Sequence, residues 1–155
     1  SYFQKNLIFK TLPAIVGFIF LAYFINHGFY KTPSNKLIQQ TEIVADKVIE
    51  VSSGKPYNFA LITGSNSDHA YRYFLEVKNH KPTRLEENIT DQLIILCESQ
   101  TCPSPLGHPL WEIAAFGRGE ISGTWDLSKY GFKIYKLTHW PGEPSPAGKP
   151  ALKGI

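Results

Sequence analysis

The sequence predicts an α/β or α+β chain: one N-terminal transmembrane helix, then a small βαβαββ domain with a partly parallel sheet and a C-terminal hairpin. Three observations lead there. An uncharged run, TLPAIVGFIFLAYFINHGFY, fills Thr11–Tyr30. Two short apolar runs, Tyr57–Thr63 and Gln92–Glu98, are separated by a helical pattern, as parallel strands joined by a crossover would be. Glu120–Leu127 sets Ile121, Gly123, Trp125 and Leu127 against Glu120, Ser122, Thr124 and Asp126, and a turn leads on to Phe132–Thr138. That is the pattern of an antiparallel hairpin.

Thr11–Tyr30 is bracketed by Lys10 and Lys31. As a helix it reaches about 30 Å, the thickness of a bilayer's hydrocarbon core. It is apolar on every side, unlike a one-faced core helix. Large residues at Asn26–Tyr30 argue against a cleaved signal peptide, which ends in small ones. Tyr2, Tyr23 and Tyr30 suit the membrane interface. Lys5 and Lys10 on one side, with Lys31 and Lys36 on the other, leave orientation undecided by charge. The expected division is 1–30 transmembrane helix with flank, 31–140 extracytoplasmic α/β domain, and 141–155 disordered Pro/Gly-rich tail.

Residues 31–54 predict a helix. Thr32 or Ser34 is its cap and Pro33 suits its first turn. Leu37, Thr41, Val44, Val48 and Val51 share a face with Ile38, Ala45 and Ile49, and Gly54 and Pro56 end it. Tyr57–Thr63 is a buried strand. Gly64–Asp68 is a turn opening a helix to about Asn79, with Ala70, Phe74 and Val77 facing inward beside Tyr71 and Leu75. Gln92–Glu98 is the second buried strand. Pro109 opens a short helix that Gly117 closes.

Formal charge is +3. Setting aside Lys5 and Lys10 leaves a net of +1 on residues 31–155. No basic stripe is visible, so the chain carries no case for nucleic acid. It begins at Ser1 and contains no methionine, so it is expected to be a fragment or a processed product of a longer chain.

Three places carry candidate chemistry. Gly64–Asp68 lies where open α/β sheets bind ligands, and Asn66, Asp68, His69 and Arg72 would line such a site. The stretch lacks the spacing of a phosphate loop or a nucleophile elbow, and a capped turn is the competing reading. Four residues separate Cys97 from Cys102, with His108 six further on. A disulfide, two free thiols and a zinc site stay open, in that order. Gly107-His108-Pro109-Leu110-Trp111-Glu112 brings His108 and Glu112 together as an acid–base pair, or Trp111 and Glu112 as a sugar-stacking pair. Packing of the loop onto its helix is the competing reading. Asn88-Ile89-Thr90 matches a glycosylation sequon.

Several stretches carry a family likeness. They are Phe59-Ala60-Leu61-Ile62, Ser65-Asn66-Ser67-Asp68, Ala70-Tyr71-Arg72-Tyr73-Phe74-Leu75 and Thr90-Asp91-Gln92-Leu93. Cys97-Glu98, Gly107-His108-Pro109, Trp111-Glu112-Ile113-Ala114, Phe116-Gly117, Gly123 and Trp125 complete the set. Together they resemble the C-terminal extracytoplasmic region of bacterial family 39-type glycosyltransferases, similar to the protein mannosyltransferases, over roughly residues 10–140.

The resemblance implies a GT-C membrane enzyme that transfers a sugar from a polyprenyl-phosphate carrier on the outer side of the membrane, often with a divalent metal. Its catalytic acids would lie in an early loop outside this chain, so no catalytic residue and no metal ligand carries over. Residues 31–140 would cover the active site or recognise acceptor, with Asn66, Asp68, Arg72, His108, Trp111 and Glu112 as candidate contacts. The expected partners are the membrane, the upstream membrane region of the same protein, the lipid-linked sugar and the acceptor. A single-pass anchored binding module is the alternative expectation. An anchored hydrolase built on His108, Glu112 or the Gly64–Asp68 loop is a third.

Overall fold

The computed structural model describes residues 2–27, 36–64, 67–99, 101–141 and 146–151, with side chains of the first helix described from Pro13 onward. The chain divides into two compact units, Ser1–Lys36 and Leu37–Ile155. Tyr30, Lys31, Thr32, Pro33, Ser34, Ser65 and Asn66, to which the sequence assigns roles, lie outside the described residues.

The first unit holds helix α1, Tyr2–His27, with Pro13 inside it. Its described side chains are exposed, among them Phe18, Ile19, Phe20 and Ile25. Phe20 and Phe24 pair one turn apart at 5.1 Å, and Tyr23 stacks on His27 at 4.6 Å. The expected transmembrane helix is corrected here: among the described residues, no helix is long and apolar enough to cross a membrane. The uncharged part of α1, Thr11–His27, is interrupted by Pro13 and closes on the polar Asn26 and His27.

The second unit is a small α+β domain. Its elements are α2 (Leu37–Ser52), β1 (Asn58–Thr63), α3 (His69–Val77), β2 (Gln92–Glu98), α4 (Trp111–Phe116), β3 (Gly119–Leu127) and β4 (Phe132–His139). The sheet is mixed and four-stranded, in the order β1-β2-β4-β3. β1 and β2 run parallel, with Ala60 opposite Ile95; β4 runs antiparallel to β2, with Tyr135 opposite Ile95. β2 is thus central, which is why Leu93–Cys97 is apolar throughout and wholly buried.

Alternate strand residues feed two cores. Phe59, Leu61, Ile94, Leu96 and Ile134 face α2 and α3, where Val44, Ala45, Val48, Val51, Tyr71 and Leu75 meet them. Ala60, Ile62, Leu93, Ile95 and Leu137 face the other way, onto α4 through Ile113 and Phe116 and onto Leu85 and Ile89. The α2 stripe follows helical spacing, but Leu37 and Ile38 in its first turn are exposed. Ala70 and Val77, expected to face inward from α3, are also exposed. The buried face of α3 is Tyr71 and Leu75, one turn apart. Asn79, in the left-handed region at φ 59°, ends that helix. Its N–H donates to Glu76 O and the N–H of His80 donates to Leu75 O, the paired bonds of a Schellman motif.

β3 is an edge strand and is half-exposed along its length. Its pairing to β4 shifts between Ile121 and Gly123, leaving Ser122 as a bulge. The bulge moves Ile121 opposite Leu137, while Trp125 stays opposite Ile134. The clean alternation of the sequence is therefore broken, because one inserted residue reverses which face the preceding side chains meet.

A polar network closes the amino ends of the parallel pair. Asn58 Nδ2 donates to Thr83 O at 2.9 Å and Asn88 O at 3.0 Å. Asn58 Oδ1 accepts from Thr90 N at 2.8 Å. Gln92 Nε2 lies within 3.2 Å of three carbonyls, those of Ser52, Lys55 and Pro56. The tail was expected to be disordered, yet part of it is tied down. Ile89 N donates to Lys149 O, Gly148 N to Ile89 O and Ala151 N to Leu85 O, and Ala151 packs on the α4 side of the sheet.

Candidate functional site

The strongest candidate lies where α4 turns into β3. The loop into α4 is held by His108, whose Nδ1 accepts the N–H of Leu110 at 3.2 Å. In the neutral ring this leaves the proton on Nε2. Gly117, at φ 89°, then turns the chain sharply into β3, a backbone state that glycine adopts without steric cost. The result is a cavity of about 540 Å³ lined by His108, Pro109, Ile113, Arg118, Leu137 and Trp140, among others. That volume falls in the usual range for small-molecule sites, about 300–1,000 Å³.

Trp140 gives the cavity its character. Its Nε1 donates to Gly119 O at 3.0 Å, which fixes the ring, yet the residue is 53 % exposed. A fixed, exposed indole offers an apolar face for stacking. His108 and Arg118 add polar groups to the same wall. Apolar stacking beside a few converging polar groups is how a protein holds a hydroxyl-rich ring.

The sequence-predicted residues fall in several places. His108 lines this cavity, whereas Trp111 and Glu112, on the adjoining helix, do not. Trp111 is 38 % exposed. Asp68 and Arg72 are brought together as an ion pair one turn apart on α3. Arg72 also donates to Phe59 O at 3.2 Å and lies over the Phe59 ring at 5.6 Å. The pair therefore fastens α3 to β1. Asn66 lies outside the described residues. Arg118 and Trp140 escaped the sequence reading. The available signal was a tryptophan just past a strand end, beside Pro141, where a loop exposes it.

Cys97 and Cys102 are joined in a disulfide with their Cα atoms 5.9 Å apart. Cys97 is fully buried in β2, so the bridge fastens the loop after the strand to the core. Among the described residues no group of three or more His, Cys, Asp or Glu side chains is placed to hold a metal ion. Glu98, at the end of β2, accepts from Thr63 Oγ1 at 3.3 Å and also engages Tyr71. Burial first, and the Glu98 carboxylate second, push the Tyr71 hydroxyl well above the usual tyrosine range. The sequon at Asn88 is enclosed. Thr90 is 5 % exposed, and its Oγ1 lies 2.9 Å from Asn58 Oδ1 and 2.8 Å from Gln92 O. Its one proton serves either acceptor.

No protein family, curated protein or solved structure matches this chain.

Proposed function

We propose that Leu37–Ile155 is an accessory recognition domain of a membrane glycosyltransferase, working outside the cytoplasm and holding the saccharide acceptor beside an active site built elsewhere in the parent protein. The observation that carries this is the cavity bounded by Trp140, His108 and Arg118, sized for a sugar ring and furnished with one fixed aromatic face. The Cys97–Cys102 disulfide supports the compartment, since such bonds persist in oxidising surroundings. The likeness to family 39-type transferases, resting on the sequence stretches quoted above, supplies the donor class: a sugar on a polyprenyl-phosphate carrier. Catalytic acids and a divalent metal belong, on this reading, to the parent's early loop, and membrane attachment to its upstream segments.

The test is kinetic. In the parent transferase, Trp140→Ala should raise the acceptor KM about tenfold, the loss of about 1.4 kcal/mol of binding, with kcat little changed. Unaltered acceptor KM in both Trp140→Ala and His108→Ala, with normal expression, would overturn the reading.

A further inference from the structure

A second cavity, of about 510 Å³, opens at the amino ends of β1 and β2, beside the Asn58–Thr90–Gln92 network and away from Trp140. Ser53, Lys55, Asn88, Gln92, Lys136 and Thr138 are among the residues in its wall. Lys136 is half-buried, and its ammonium donates to Val51 O at 3.1 Å. Lys55 faces the same space from the turn before β1 and is exposed. Among the described residues, no carboxylate lies within ion-pair distance of either lysine. Asp91 is the one acid of the wall, and it is exposed. Burial, and after it the nearby charge of Lys55, lower the Lys136 pKa. Two lysines on the wall of one cavity present positive charge to an entering anion.

One further feature says what kind of anion. The cations are lysines, which act on phosphate as point charges, whereas carboxylates favour the flat fork of arginine. We infer that this cavity is a binding site for a phosphate group, held by Lys55 and Lys136. The inference stands independently of the acceptor reading given to the Trp140 cavity. The same chemistry arises from a soluble sugar phosphate or from a phospholipid headgroup.

The experiment uses the full 155-residue chain. Glucose 6-phosphate, inorganic phosphate and glucose are titrated by calorimetry at constant ionic strength, and sedimentation with vesicles containing phosphatidic acid forms the second arm. Each is repeated with Lys55→Gln and with Lys129→Gln, which removes the same charge from the distant β3–β4 turn. The expected result is binding of at least one phosphate probe, none of glucose, and weakening of about tenfold or more by Lys55→Gln alone. Soluble binding alone assigns a sugar phosphate, and vesicle binding alone assigns a headgroup. No phosphate binding in either arm, or equal weakening by both variants, overturns the inference. Lys55 is exposed and, among the described residues, makes no side-chain bond to the core, so its loss leaves the thermal transition as a fold control.

Discussion

The indole of Trp125 lies across Gly123, two residues back on the same strand. A Cβ built at position 123 would stand 2.8 Å from Trp125 Cζ3, closer than real contacts allow. The glycine follows directly on the Ser122 bulge, so the ring covers backbone that would otherwise face water. Gly123→Ala should turn the ring out and destabilise the domain by about 1–2 kcal/mol, in the range of ordinary packing lesions. The near-ultraviolet circular dichroism of Trp125 should fall with it. An unchanged spectrum and melting temperature would show that the ring accommodates a methyl group.

Asn58 is the polar centre of the fold. Asn58→Ala leaves Thr90 N–H and the carbonyls of Thr83 and Asn88 without their present partner. Each buried orphan costs about 1–3 kcal/mol, so a total loss of at least about 3 kcal/mol is expected by chemical denaturation. Asn58→Asp keeps the acceptor but turns a carboxylate oxygen toward two carbonyls, and should destabilise at least as much at neutral pH.

Cutting the Cys97–Cys102 bridge should cost about 2 kcal/mol, because so short a loop returns little entropy to the unfolded chain. Melting with and without reductant measures this. Cys102→Ser should melt at the reduced temperature whether or not reductant is present.

Alkali should unfold the domain through two tyrosines. Burial raises the hydroxyls of Tyr57 and Tyr71 above their ordinary range, and Tyr57 donates to His80 O at 2.7 Å. Both are neutral when folded, while the unfolded chain ionises near pH 10. Their contribution is therefore complete below about pH 10 and is lost as pH rises toward the folded values. Stability measured across that window should fall for the native chain and fall less for the Tyr57→Phe/Tyr71→Phe double variant, which loses about 1 kcal/mol at neutral pH for each missing hydrogen bond.

The sheet was readable wherever one residue type decides the environment. Leu93–Cys97 is apolar because β2 has a neighbour on each side and a layer on each face. The end of α3 was readable to within two residues, about Asn79 against Val77, because a helix stop is a local matter. Ile121 could not be placed, since the shift at Ser122 is a property of the pair of strands. Val77 was misassigned because an apolar residue at helical spacing need not find a partner layer. The membrane helix was inferred from apolarity over Thr11–Tyr30, whereas among the described residues no helix is long and apolar enough to cross a membrane. At the candidate site, His108 was visible as a special residue in an odd setting. Trp140 and Arg118 were not, because they meet only after β4 pairs with β3 and sets His139 opposite Gly119.

The Ser122 bulge also bears on self-association. β3 offers an open edge of the sheet, and an open edge invites another chain to add a strand. An extra residue twists that edge out of register, Gly119 and Gly123 weaken it, and Glu120 and Asp126 place negative charge along it. A second copy approaching edge to edge meets a kinked, charged border. Deleting Ser122 would restore a regular alternation and a straight template, and would trade this guarded edge for a tendency to fibrillate.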